Sequence, residues 1–296
     1  MAAWDIVVIG GGTAGLSAAA AAAGRNLSCV VIDRMGGGGE LMNLATLHDL
    51  DEPLAGPDLA ARLLEGAMTA GAELEIGEVV GLTPLGEGWR VTTDNGQYDA
   101  RAVILAIGLG PGALGLADED SYEARGLSHC AACDGPLYRG EPVVVAGADR
   151  WAVQEARELA AIASEVTLVT QGGAAPASDV FAVISGRIVT LEGTPGLDAV
   201  TVQPDEGGAP KRVTTQAVFV QTRRRPAAGF APKGLLRGQD GRLVTDDAQQ
   251  SSLPGVYATG DARAGAERTL GFAMEDGRRA VAAAHARLIP LGKSAG

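Results

Sequence analysis

The sequence predicts an α/β protein made of two Rossmann-like (three-layer ββα) nucleotide-binding domains, the second inserted into the first. Three observations lead there. An apolar strand, a glycine turn and a helix stand near the N-terminal end. The same strand–turn–helix–strand order returns at about residue 142. A further strand and a long helix follow over 253–288, and the simplest architecture joins them to the N-terminal unit. Domain boundaries are therefore expected at 1–112 and 228–296 for a discontinuous outer domain, with 113–227 inserted.

The first unit opens with the apolar run 5–9, which reads as a buried parallel strand. Glycines follow at once, then a helix over 13–23 and a second strand over 27–32. The glycine tract 36–39 reads as a flexible loop, and 59–68 has helical spacing. Residues 89–93, the turn Asp94-Asn95-Gly96 and the stretch from Tyr98 onward read as a hairpin. A separate buried strand is expected over 103–107, ending at Gly108. In the second unit a strand over 143–146, a helix over 152–163 and a strand over 166–169 repeat the pattern. The last strand, 253–261, ends in Gly260-Asp261, and a helix over 270–288 completes the chain.

Length and charge narrow the function. At 296 residues the chain is long enough for two domains. Its net charge of −12 and lack of a basic cluster argue against nucleic acid or an anionic membrane surface as partner. No basic leader precedes the first strand, and the alanine run 18–23 is too short to span a bilayer, so a cytoplasmic protein is expected. The three histidines His48, His129 and His285 are scattered, so no metal site is expected.

Gly10, Gly12 and Gly15 spell GxGxxG between strand and helix. The first suits a tight turn, the second lets a pyrophosphate approach the backbone, and the third lets helix pack on strand. The helix N-terminus adds free N–H groups. Asp33 closes the second strand, where a carboxylate can accept from an adenosine ribose. The other constellation is His129-Cys130-Ala131-Ala132-Cys133-Asp134-Gly135. Two residues between cysteines allow a small, reducible ring, and one thiolate of such a pair usually has a lowered pKa. A buried structural disulfide is the alternative, though these usually close larger loops. Asp134 is placed to exchange a proton with a departing thiol. Cys29 stands alone.

These motifs resemble those of the low-molecular-weight thioredoxin reductases over nearly the whole length. The resemblance runs through Val7-Val8-Ile9-Gly10-Gly11-Gly12-Thr13-Ala14-Gly15, Gly38-Gly39-Glu40-Leu41, the Cys-Ala-Ala-Cys-Asp-Gly run and Gly255-Val256-Tyr257-Ala258-Thr259-Gly260-Asp261. It implies FAD as cofactor, with Thr13, Ala14, Arg34, Gly39, Glu40, Leu41, Ala106, Gly108, Gly260 and Asp261 added to the cofactor site. Thr269 and Leu270 fall where the family sets a helix N-terminus against the flavin ring. It further implies that Cys133 faces the flavin, Cys130 attacks a partner disulfide, Asp134 is the acid–base group, and the protein is a homodimer.

The chain departs from the family pattern at the second nucleotide site. The turn reads Gly147-Ala148-Asp149-Arg150-Trp151-Ala152, with Asp149 at the position of closest phosphate approach. After the next strand, Thr170-Gln171-Gly172-Gly173 supplies neither the family's arginines nor a carboxylate. A third element reads Gln221-Thr222-Arg223-Arg224-Arg225-Pro226, either a solvated run or a docking patch for an acidic partner. The expectation is a flavoenzyme that is not NADPH-dependent. Ferredoxin or another donor would feed it, and a thioredoxin-like protein would be its substrate. The alternatives are an oxidase of small dithiols that passes electrons to oxygen, and a non-catalytic flavin-binding redox sensor.

Overall fold

The structure is a computed structural model that describes residues 3–44, 46–47, 53–222 and 224–289. His48 and Arg223 lie outside the described residues. The elements, in chain order, are β1 (Trp4–Ile9), α1 (Thr13–Ala23), β2 (Cys29–Asp33), α2 (Gly56–Thr69), β3 (Glu73–Ile76), β4 (Val79–Leu85), β5 (Gly88–Thr93) and β6 (Gln97–Leu105). Next come β7 (Leu127–Ser128), α3 (Ala131–Asp134), β8 (Pro142–Ala146), α4 (Arg150–Ala160), β9 (Glu165–Val169), β10 (Ala182–Ile184), β11 (Gly186–Glu192), β12 (Ala199–Pro204), β13 (Lys211–Thr214) and β14 (Ala217–Val220). The chain closes with β15 (Val256–Ala258) and α5 (Leu270–Leu288). Two compact units result: Met1–Gly110 with Arg225–Gly296, and Pro111–Arg224.

In the first unit the sheet order is β3-β2-β1-β6-β5-β4, with β15 also paired to β6. Strands β1, β2, β3, β6 and β15 run parallel, while β4, β5 and β6 form an antiparallel meander. Alternation along β1 explains why the run is apolar throughout. Ile6 and Val8 face α1 and α5, among Leu16, Ala18, Ala280 and Ala284. Val7 and Ile9 face the opposite side, among Leu82, Trp89, Leu235 and Leu243.

The second unit repeats the plan. Its parallel sheet has the order β10-β9-β8-β14-β7. Val143, Val145 and Leu168 face the helix side with Ala152, Ala156 and Leu159. Val144, Ala146 and Val169 face Ile188, Leu191 and Val200 from the small antiparallel sheet β11-β12-β13. Each unit is thus a helix layer, a parallel sheet and an antiparallel layer.

The expected strand over 103–107 is not separate. It is the second half of β6, which runs without a break from the hairpin turn into the core. One edge of β6 is divided: residues 97–100 pair with β5 and 103–105 with β15. The last expected strand is shorter than read, because Pro254 has no N–H for a ladder and Gly255 turns at φ +78°. Helix α4 starts at Arg150 rather than 152, for a reason that belongs to the second glycine turn.

Candidate functional site

The cradle at α1 is built by glycines with different duties. Gly10 sits at φ +102°, and a Cβ there would collide with the Ala106 carbonyl. A Cβ on Gly15 would collide with the Gly10 carbonyl, so helix and strand touch backbone to backbone. Gly12 differs: its backbone is ordinary, at φ −77° and ψ −170°, and a Cβ would meet nothing within 4 Å. Its glycine keeps a space open. No side chain caps α1, and no acid stands in its first turn. Thr13, Ala14 and Gly15 therefore lie in the opening turn of a helix whose end is uncapped beside an open space, which suits a pyrophosphate.

Asp33 accepts three backbone N–H groups: Gly11 on Oδ2 at 2.7 Å, Met35 and Gly37 on Oδ1 at 2.8 and 3.0 Å. It ties the glycine turn to the following loop and keeps capacity for one more donor such as a ribose hydroxyl. The tract expected to be flexible is held by these bonds and by Gly38 N–H on the Gly11 carbonyl at 2.8 Å. Arg34 follows directly, at the start of that turn. Gly39 lies beside Gly12, its Cβ position 3.1 Å from the Gly12 Cα, and begins a 3-10 turn with Glu40 and Leu41. Ala106 leaves β6 beside Gly15, and Gly108 turns at φ +54° into open space. The residues around Gly12 thus fit a dinucleotide.

Gly260 and Asp261 form a 3-10 turn after β15. Three residues that sequence reasoning missed organise it. Asp276, only 1 % exposed on α5, accepts from Gly260 N–H at 2.8 Å and pairs with Arg263 at 2.8 Å. Arg268 Nε donates to Asp261 Oδ2 at 2.9 Å and its guanidinium lies 3.5 Å from Glu40. Burial pushes the Asp261 carboxyl up, with Arg268 opposing. Thr269 caps α5 by accepting from Phe272 N–H at 3.2 Å, and Leu270 is the first helical residue. No spacing signal joins Glu40, Asp261 and Arg268; only the fold does.

In the second unit Cys130 and Cys133 form a disulfide at the start of α3. Cys130 is 8 % exposed, whereas Cys133 is open to solvent. Cys133 N–H donates to Cys130 Sγ at 3.1 Å. Buried Ser128 donates its hydroxyl to Asp134 Oδ2 at 2.7 Å and accepts Cys130 N–H at 3.2 Å. The serine thus joins the acid to the backbone of the first cysteine. His129 pairs with Glu123 at 2.9 Å. Cys29 is buried and its thiol is pushed up to about 12 by burial, which makes it inert.

The second glycine turn is filled by the protein itself. Asp149 is the N-cap of α4, and its Oδ1 accepts from Trp151 and Ala152 N–H at 3.1 and 2.9 Å. This cap is why the helix begins early. The Arg150 guanidinium stacks 4.7 Å from the Trp151 ring centroid. The turn after β9 closes against the glycine turn, with Gly173 packed on Ala148. Sequence reading found no positive charge at that turn. The fold brings one from β11, for the Arg187 guanidinium lies against Gly172. Of the arginine run, Arg224 ends the second unit and Arg225 re-enters the first.

The sequence profile of the pyridine nucleotide-disulphide oxidoreductases matches residues 4–286. A thioredoxin reductase of Treponema pallidum is 30% identical over 295 residues, 95% of this chain and 96% of its own length. A solved structure of Lactococcus lactis thioredoxin reductase aligns with a TM-score of 0.91 at 26% identity, covering 97% of this chain and 100% of the other. A ferredoxin-flavin thioredoxin reductase structure from Clostridium acetobutylicum aligns at 27% identity and a TM-score of 0.54, covering 96% and 98%.

Proposed function

The chain belongs to the pyridine nucleotide-disulphide oxidoreductase family and is an oxidoreductase, and on that premise we propose an FAD-dependent, thioredoxin-reductase-like enzyme whose donor is not NADPH. The carrying observation is the Cys130–Cys133 disulfide with Asp134 and Ser128 joined behind it. FAD bound at Gly12 and the α1 N-terminus would supply two-electron exchange with the disulfide.

Once the pair is reduced, Cys130 is the attacking thiolate, stabilised by the Cys133 N–H. It forms a bond to one sulfur of the partner disulfide, and the partner's other sulfur leaves as a thiolate that takes a proton from Asp134. Asp134, now ionised, takes the proton of the Cys133 thiol; the Cys133 thiolate attacks Cys130 Sγ, the partner's second sulfur departs as a thiolate that is protonated from solvent, and the enzyme disulfide re-forms. The partner is a thioredoxin-like protein or a small disulfide, and the enzyme works as a homodimer. Trapping tests the roles: Cys133→Ser should accumulate a mixed disulfide through Cys130, because the resolving thiol is missing. A mixed disulfide in Cys130→Ser instead reverses the assignment.

The donor reading is supported by Asp149. The helix end that would receive a nucleotide pyrophosphate is occupied by its carboxylate, and two like charges about 4 Å apart repel by roughly 1–4 kcal/mol at effective dielectrics of 80 to 20. The likeness to a ferredoxin-flavin thioredoxin reductase supports an iron–sulfur protein as donor. Anaerobic mixing with NADPH, NADH, reduced ferredoxin and a dithiol decides among donors. Complete flavin reduction within about a second at sub-millimolar NADPH, fast on the scale of ordinary turnover, would make this an NADPH enzyme.

A further inference from the structure

The redox helix has a neighbour that this chemistry leaves unused. Glu155 lies on α4, six residues after Asp149, and is 8 % exposed. Ala131, the residue after Cys130, packs against α4 among Ala152 and Ala156. Gln221 Nε2 donates to Glu155 Oε1 at 3.0 Å and also to the carbonyl of His129, the residue before Cys130, at 3.2 Å. Gln221 therefore clasps Glu155 to the backbone just before Cys130. The second oxygen, Oε2, is buried without a hydrogen-bond partner.

An ionised carboxylate with a dry, unpaired oxygen is unfavourable, and a proton on that oxygen relieves it. Burial pushes Glu155 up to about 7; the nearby Ala131 backbone N–H and the Gln221 hydrogen bond oppose this, Glu158 on the same helix adds to it, and Arg224 beyond β14 opposes. The other charged groups near the clasp are spoken for: Asp134 by Ser128, His129 by Glu123.

The structure assigns Glu155 as a positioning residue whose protonation is linked to the oxidation state of the Cys130–Cys133 pair. The assignment rests on that pair being the redox centre. Reduction breaks the S–S bond with two electrons from a dithiol or from the enzyme's donor. With one proton taken up, the products are one thiol and one thiolate. A thiolate at Cys130 places a second negative charge one residue from the clasp, in poorly solvated surroundings. Glu155 responds by binding a solvent proton at Oε2, which needs no further electron. Re-forming the disulfide releases that proton.

The test equilibrates the full-length holoenzyme with mixtures of reduced and oxidised dithiothreitol, from about pH 5.5 to about pH 8.5, a range that brackets the expected titration. The Cys130/Cys133 dithiol is counted by alkylation and mass. The midpoint potential plotted against pH should bend near pH 7. The bend should vanish in Glu155→Gln, persist in Asp134→Asn, and move to higher pH in Gln221→Leu, which removes a donor to the carboxylate. A wild-type plot without the bend, or a Glu155→Gln plot that superimposes on the wild type, overturns the proposal. Should Glu155→Gln fail to fold, an unmoved bend in Gln221→Leu overturns it equally. A pair that never equilibrates with dithiothreitol refutes the redox centre itself, a separate outcome.

Discussion

Helices α1 and α4 enter their sheets in the same way, yet their ends offer opposite surroundings to an anion. Gly12 has φ −77° and ψ −170°, Asp149 φ −76° and ψ 172°, so the two N-cap backbones nearly coincide. Gly10 and Gly147 both turn at positive φ ahead of them. One side chain makes the difference. At α1 its absence leaves a void and bare N–H groups. At α4 a carboxylate fills the void and takes two of those N–H groups. Gly12 is thus glycine for the sake of space, not of conformation, and a backbone competent for phosphate is readily converted into a self-contained helix end.

The largest effect is expected from making α1 resemble α4. Gly12→Asp should cap the apo helix and abolish flavin binding. Like-charge repulsion and two diverted N–H groups together weaken affinity by about a thousandfold. Absorbance of the purified protein reads this directly. Wild-type flavin content in that variant would show that the void is not the pyrophosphate site.

A second difference lies six residues further on, where α1 buries Ala18 and α4 buries Glu155. Glu155 is raised from 4.5 to about 7 in the folded state. Its contribution to stability is therefore fully present below about pH 4.5 and is lost as pH rises through 7. The size is roughly 3 kcal/mol at 1.36 kcal/mol per unit. Denaturant titrations at several pH values should show this decline in the wild type and a flatter profile in Glu155→Gln. Equal slopes would remove the buried acid from the account.

The smallest effect comes from opening α4. Asp149→Gly should cost only a few tenths of a kcal/mol and improve NADPH affinity by about tenfold, since one repulsive charge goes while the packed turn remains. Stopped-flow reduction measures the gain. If NADPH reduces the wild type as well as this variant, Asp149 does not guard the site.

Much of this contrast was legible in the sequence. The GxGxxG run, the CxxC pair and both strand–turn–helix repeats are local patterns, and their spacing is preserved whatever surrounds them. Asp149 was visible as an obstacle to phosphate. Its action as a cap appeared only with the helix end in view. What escaped depends on residues far apart in the chain. Arg268 reaches Glu40 across more than two hundred residues, and Asp276 pins Gly260 from a helix that reads as ordinary. Arg187 supplies charge to a turn on another strand. The continuity of β6 escaped for a different reason: the polar first half and apolar second half look like two strands until the divided edge shows why its character changes midway.

That divided edge bears on how the chain is made. Residues 97–100 of β6 find their β5 partner a few residues away, but 103–105 wait for β15, some hundred and fifty positions later. Helix α5, whose Gly277 packs on the Ala14 carbonyl, arrives later still. On the ribosome the first unit therefore emerges with an unpaired strand edge and an uncovered helix face, and keeps both until the whole inserted unit has been synthesised. Non-local pairing of this kind slows folding and leaves apolar surface exposed meanwhile. The inserted unit has its own sheet and can fold first, which makes the nascent first unit the segment most in need of protection from aggregation.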